Sequence, residues 1–139
     1  MSRSSRILAG VLLITYPSVI AGGASLLYML TREPEYAANP LRQDLWRAGH
    51  AHAGVYLLLA LVVLRYVDEA ALSPGWTWFA RLAAPIAAIL LPVAFFLSVL
   101  SPDATQPNGL IYLVYVGAAI LGAELLILGI GLVRGEWGG

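Results

Sequence analysis

Hydrophobic residues along this chain fall into four long runs, and the polar residues are concentrated between them. The runs cover about residues 7–30, 47–66, 78–100 and 110–133. Each is close to the roughly 20 apolar residues that an α-helix needs to cross the hydrocarbon core of a bilayer. The pattern therefore predicts an all-α integral membrane protein. We expect the whole chain, 1–139, to form a single domain, a bundle of four transmembrane helices.

The first run also has features of a secretory signal peptide. Arg3 and Arg6 precede it, and the small residues 21–24 resemble a cleavage site. The apolar residues continue past that point to Leu30, whereas the apolar region of a signal peptide is shorter. We therefore expect a membrane span. Pro17 lies near the middle of the run and is expected to kink the helix, because proline leaves the carbonyl four residues earlier unpaired.

The connections between the runs contain signals for helix starts. Asn39-Pro40 combines a capping residue with a proline, which is well tolerated at the first helical position, and Ser73-Pro74 repeats this combination. The helix of the second run is therefore expected to begin outside the membrane. The third run is expected to end at Leu100. Small residues in the fourth run favour close helix contact; they are Gly117, Ala118, Gly122, Gly129 and Gly131.

Composition supports a membrane protein and excludes several other classes. The chain is 60% hydrophobic and 12% charged, with a mean hydropathy of +0.80. Its eight basic residues are balanced by eight acidic ones, so no net charge favours binding to nucleic acid. Because the chain has no cysteine, a disulfide framework, a thiolate metal site and a covalently attached haem are all excluded.

Arginine is the only basic residue besides histidine, and its distribution predicts the topology. Five arginines lie at one end of the predicted spans and three at the other; the two sets are Arg3, Arg6, Arg65, Arg81 and Arg134 against Arg32, Arg42 and Arg47. Cytoplasmic segments carry the excess of basic residues. We therefore expect both termini to face the cytoplasm of a bacterium, with the protein in the plasma membrane.

Both histidines of the chain, His50 and His52, lie at the head of the second run, among alanines and glycines. Imidazole binds transition metals and haem iron and carries protons near neutral pH. Two residues apart on a helix, the two rings point about 200° away from each other and cannot chelate one ion. His52 shares a helix face with Tyr56. The sequence therefore marks His50, His52 and Tyr56 as candidate cofactor-binding residues, and the two histidines as candidate metal ligands.

Other roles for the histidines stay open. The rings could simply form hydrogen bonds with loop carbonyls near the membrane surface. A haem would need a second axial ligand, which could come from Met29 or from a second copy of the chain. The cofactor, whether haem or a transition metal, is therefore unknown.

Glu124 is an acid inside the fourth run. Because a charged carboxylate in the bilayer core is costly, this side chain is expected to face the bundle interior and to be protonated or paired. Counting from the span centres places it at the depth of Tyr16, Thr15 and Ser18, which are therefore candidate partners. The alternatives are a hydrogen bond to a freed carbonyl and a role in handling protons or a ligand.

The stretch Trp46-Arg47-Ala48-Gly49-His50-Ala51-His52-Ala53-Gly54-Val55 resembles a motif of small four-span actinobacterial membrane proteins. The resemblance extends in outline over all four spans. It implies the four-helix architecture, and it implies no activity, because none is assigned to those proteins.

The sequence leaves three functions open. The first is binding of a cofactor, a metal or a small apolar ligand between the helices. The second is an accessory or structural subunit of a membrane complex, and the third is proton or ion conduction through Glu124. No catalytic motif is present, so enzyme activity has no support. We expect the partners to be the lipid bilayer and either further copies of the chain or a larger complex, and no nucleic acid.

Overall fold

The computed structural model describes residues 1–136, which form four long helices, one short helix and one 3₁₀ turn. The α-helices are α1 (Arg3–Arg32), α2 (Pro34–Ala37), α3 (Pro40–Tyr66), α4 (Pro74–Ser98) and α5 (Leu113–Glu136), and the 3₁₀ turn Gly109–Tyr112 leads into α5. Helices α1, α3 and α4 and the segment Gly109–Gly135 are long and apolar enough to cross a membrane. The predicted all-α fold with four membrane-spanning helices is therefore confirmed.

The long helices pack in chain order, and each lies against the one before it in the sequence. The most extensive interface joins α3 to α4, followed by those of α4 with α5 and α1 with α3. Helix α4 occupies the centre, and alanines cover its buried faces: Ala80, Ala83, Ala84, Ala87, Ala88 and Ala94. Small side chains let the neighbouring helices approach closely. Helix α1 packs mainly on α3, and its surface is largely exposed.

The start of α3 agrees with the capping signal in the sequence. The side-chain oxygen of Asn39 accepts a hydrogen bond of 3.1 Å from the backbone N–H of Arg42, and Pro40 is the first helical residue. Helix α4 begins at Pro74 in the same way, although the Ser73 side chain makes no capping hydrogen bond. The two pairs of residues therefore mark both helix starts.

The C-terminal end of α4 is held by side chains from the beginning of α3. The last carbonyls of a helix have no partner within the helix itself. Trp46 Nε1 donates a hydrogen bond of 3.2 Å to the Phe96 carbonyl, and Arg42 Nε donates one of 3.1 Å to the Val99 carbonyl. The Arg42 guanidinium also lies 4.6 Å from the centre of the Trp46 ring. These contacts fix the rotation of α3 relative to α4.

Helix α4 ends at Ser98, two residues before the predicted end at Leu100. The reason is the third connection, which supplies donors to the carbonyls at this point. Asn108 donates through its side chain to the Leu97 carbonyl at 3.0 Å and through its backbone N–H to the Ser98 carbonyl at 2.8 Å. Val99 then leaves the helical conformation, with φ −135° and ψ 42°. The apolar run does not show this helix end, because the Asn108 donors lie about ten residues further along the chain.

The glycines divide into those that contact another helix and those that do not. A Cβ at Gly49 would lie 3.1 Å from Phe95 Cβ, and one at Gly117 would collide with the Leu91 side chain. Gly131 is similarly close to the second connection. In contrast, Gly122 and Gly129 have no neighbour within 4 Å. The small residues of α5 therefore serve internal packing only in part.

We expect Gly49→Ala to lower the stability of the protein by about 1–3 kcal/mol, because the added methyl group meets a Cβ atom that cannot move without shifting α4. The measurement is thermal unfolding of the purified protein in detergent. Gly122→Ala is the matched control and should leave the melting temperature unchanged or slightly raised. Equal melting temperatures for the two variants would contradict the close contact of α3 with α4 at Gly49.

At the opposite end of the bundle, one partly buried ion pair joins three segments of the chain. Arg81 donates to Asp68 at 2.6 Å and to the Ser5 hydroxyl at 3.1 Å, and the Ser2 backbone N–H donates to Asp68 at 2.6 Å. Burial opposes ionisation of the Asp68 carboxyl. However, the hydrogen bonds from Ser2, Arg81 and Ser5 outweigh burial and hold the pKa of Asp68 well below its usual range. This cluster attaches the start of α1 to the second connection and α4.

A carboxyl with a lowered pKa stabilises the fold when it is ionised, and this contribution is lost as the pH falls below the usual aspartate pKa of about 3.9. We therefore expect the melting temperature in detergent to fall as the pH is lowered below about 4. Asp68→Asn should already be destabilised at pH 7, by about 2 kcal/mol, and should lose less on acidification.

Glu69→Gln is the control for this prediction, because Glu69 pairs with Arg65 on the exposed surface. Exposed pairs contribute about 1 kcal/mol or less. If Asp68→Asn and Glu69→Gln gave the same melting temperatures and the same pH dependence, the cluster around Asp68 would have no special role.

Candidate functional site

The two histidines lie in the first half of α3 and face different helices. His50 lies against α1, and His52 lies against α4. This agrees with the angle of about 200° expected for residues two apart on a helix. Within residues 1–136, no three His, Cys, Asp or Glu side chains come together in an arrangement that could hold a metal ion. The structure therefore does not bring His50 and His52 together as ligands of one ion.

His50 lies over the glycine pair of α1. A Cβ at Gly23 would lie 3.0 Å from His50 Nε2 and 3.2 Å from Cε1, whereas one at Gly22 would lie 3.7 Å from Nδ1. A side chain at position 23 would therefore obstruct the close approach of the His50 ring to α1. A methyl group at position 22 would be in ordinary van der Waals contact with the ring. Because neither glycine has a side chain, the imidazole of His50 can lie directly against α1.

Beside His50, a groove of about 280 Å³ runs between α1 and α3. Six side chains form its walls: His50, Tyr16, Val19, Ile20, Val55 and Leu58. Ala51 and Gly54 line it between His50 and Leu58. The Tyr16 hydroxyl lies 4.0 Å from the position of a Cβ at Gly54. Both polar side chains thus face glycines, which offer them no side-chain partner.

His52 is held more firmly than His50. Its Nδ1 lies 2.6 Å from the Ala48 carbonyl, so this nitrogen donates the hydrogen bond, and Nε2 is the acceptor in the neutral ring. The ring centre lies 5.1 Å from that of Phe95 and 5.2 Å from that of Tyr56. His52 and Tyr56 line a second, smaller groove of about 210 Å³ with Ala51 and Val55. The candidate set of His50, His52 and Tyr56 is therefore divided between two grooves.

Met29 does not complete a haem site with His50. It lies six residues beyond Gly23 on α1, which is about 9 Å along the helix axis. In addition, Nε2 of His50 is directed at Gly23, so a metal bound to that nitrogen would lie against the backbone of α1. The residues present do not fit His/Met ligation of one haem.

Glu124 is fully buried, as expected, and lies between α5 and α4. Neither carboxyl oxygen has a hydrogen-bond partner within residues 1–136, although the backbone of Ala84 is adjacent. The Thr15 and Ser18 hydroxyls are exposed and donate to carbonyls of their own helix, at 2.9 and 2.7 Å. Tyr16 lines the groove beside His50. The structure therefore does not form the hydrogen bonds proposed between Glu124 and these residues of α1.

A buried polar group without a partner costs about 1–3 kcal/mol. We therefore expect Glu124→Leu, which has a similar volume, to raise the free energy of unfolding by about this amount, while Glu124→Gln changes it little. Thermal unfolding in detergent or in lipid nanodiscs measures the difference. A lower melting temperature for Glu124→Leu would mean that the carboxyl is bonded in the membrane.

A further cleft is lined by none of these residues. It has a volume of about 620 Å³ and separates the first connection from the third, at the end of the bundle where α1 ends and α3 begins. Glu35 and Asp103 lie on its two sides. It lies among the connecting segments, and its polar lining includes no histidine or tyrosine.

Comparison with known proteins gives no functional guide: no protein-family model, no curated protein and no solved structure matches this chain. The function must therefore be inferred from the side chains and their surroundings.

Proposed function

We propose that this multi-pass membrane protein binds a small, predominantly apolar molecule in the groove between α1 and α3, next to His50. The protein lies in a bacterial plasma membrane with both termini in the cytoplasm, in accordance with the excess of arginine at that end of the bundle. The ligand enters from the lipid phase, because apolar side chains form most of the groove.

The observation that carries this proposal is the position of His50. Polar side chains within membrane spans are costly and usually serve a function. The ring nitrogens of His50 face Gly22 and Gly23, which have no side chain to bond them. A groove of about 280 Å³ is close in size to the smallest ligand pockets. A mostly apolar concave surface with a few polar side chains, here His50 and Tyr16, is typical of binding sites for small molecules.

The surroundings of His52 favour a structural role instead. Its Nδ1 is already bonded to the Ala48 carbonyl, and its ring packs on Phe95 of α4. These contacts fix the ring in the α3–α4 interface. We therefore assign ligand binding to His50 and packing of helices α3 and α4 to His52.

The two glycines of α1 allow a direct test. The protein is reconstituted into liposomes and exposed to a small photoreactive alkylbenzene that carries a diazirine, and labelled residues are identified by mass spectrometry. We expect labelling of Val19, which lines this groove alone, to saturate, and labelling of Ile89, on the exposed surface of α4, to rise in proportion to the probe. Gly23→Ala should weaken saturation at Val19, because the added methyl group forces the His50 ring to shift.

Gly22→Ala is the matched control and should preserve saturation, because its methyl group would have 3.7 Å of space. Labelling that rises in proportion at both Val19 and Ile89 would contradict ligand binding in the groove. The accessory-subunit function would then be the better explanation of the four helices.

A further inference from the structure

Another apolar groove lies on α5, on the side that faces away from α4. Helix α5 packs on α4 through a face that includes Gly117 and Glu124. Gly129 follows Glu124 by five residues and therefore points about 140° away from it around the helix. The groove has a volume of about 400 Å³ and is lined by exposed residues: Leu125, Leu126, Gly129, Ile130, Val133 and Arg134. In a bilayer this side of α5 meets lipid, so the groove is open to molecules of the membrane.

Gly129 leaves the space in the middle of this groove. A Cβ at this position would have no neighbour within 4 Å among the described residues, so packing of the bundle does not require a glycine here. The aliphatic side chains of Leu126, Ile130 and Val133 lie around it. A hydrocarbon chain can therefore occupy the space that a side chain at position 129 would fill.

The length of the groove matches one leaflet of a bilayer. Leu125 and Arg134 are nine residues apart, which is about 14 Å along the helix axis. The hydrocarbon core of a bilayer is roughly 30 Å thick, so each leaflet contributes about 15 Å. The apolar run 110–133 has its middle near residue 122 and ends next to Arg134. A hydrocarbon chain in the groove would thus extend from the middle of the bilayer to its surface.

Arg134 places a positive charge at the surface end of the groove. It lies in the last turn of α5, and its side chain is exposed. A guanidinium group presents paired N–H donors in one plane, which match two oxygens of a phosphate group. An apolar groove that ends at a guanidinium group therefore complements both parts of a phospholipid, the hydrocarbon chain and the phosphate.

We infer that the groove on α5 binds a phospholipid of the adjacent leaflet, with one acyl chain over Gly129 and the phosphate at Arg134. The inference is independent of the ligand proposed for the groove next to His50, because the two grooves share no residue. It assigns a binding surface to α5, the helix that the proposed function does not use.

Native mass spectrometry of the protein in a mild detergent tests the inference, because it counts bound lipid molecules and measures their affinity. The two probes are phosphatidylglycerol and a diacylglycerol with the same acyl chains, which lacks the phosphate. One hydrogen bond contributes about 1 kcal/mol, or roughly fivefold in affinity. We therefore expect the first phosphatidylglycerol molecule to bind at least roughly fivefold more tightly than the diacylglycerol.

Variants at the surface end of the groove test the contribution of the charge. Arg134→Gln should lower the affinity for phosphatidylglycerol to that for the diacylglycerol. Arg6→Gln is the matched control, because Arg6 is exposed at the same end of the bundle and does not line the groove. It should leave both affinities unchanged.

Variants of two glycines test the position of the acyl chain. Gly129→Leu should abolish the tight binding of both lipids, because the leucine side chain fills the groove. Gly122→Leu is the matched control, because Gly122 also has no neighbour within 4 Å but does not line the groove. Thermal unfolding in the same detergent checks that each variant is folded.

Three results would overturn the inference. Equal affinities of the two lipids for the unaltered protein would exclude recognition of the phosphate by Arg134. Unchanged lipid binding in Gly129→Leu would exclude an acyl chain in the groove. If Gly129→Leu instead converted a dimer into a monomer in size-exclusion chromatography and left lipid binding unchanged, the groove would be a contact between two copies of the chain.

Discussion

Backbone carbonyls at the end of a membrane helix need donors, and the rest of this structure depends on how α4 obtains them. Trp46 and Arg42, in the first turns of α3, bond the Phe96 and Val99 carbonyls. The same contacts hold α3 in one rotation against α4. Because His50 and His52 follow within ten residues on α3, that rotation also decides which helix each imidazole faces. The hydrogen bonds that cap the end of α4 thus also orient the two histidines on α3.

Much of the fold could be predicted from sequence, because its signals are local. Span length depends on the number of consecutive apolar residues, and the helix starts at Pro40 and Pro74 follow from capping and proline chemistry. The opposed directions of His50 and His52 follow from helix geometry alone. The sequence also contains Gly22 and Gly23 of α1, but it does not show their role. That role depends on the antiparallel packing of α1 and α3, which places Gly23 opposite His50.

Contacts between helices could not be predicted in the same way. Counting depth along each span placed Tyr16 near Glu124, yet depth says nothing about which helices are neighbours. Helix α1 packs mainly on α3, and α5 packs on α4, so these two residues belong to different interfaces. For the same reason, the sequence does not show that Tyr16 and His50 line one groove. The burial of Glu124 was predictable because it depends only on the cost of a charge in hydrocarbon.

The limited packing of α1 has a consequence for how occupancy of the groove is controlled. One wall of the groove belongs to a helix whose surface is largely exposed, and in a membrane that surface meets lipid. A molecule would therefore arrive by lateral diffusion within the leaflet. Its occupancy would follow its mole fraction among the lipids, not its aqueous concentration. The protein would thus respond to bilayer composition, and adding inert lipid would dilute the ligand even at constant total amount.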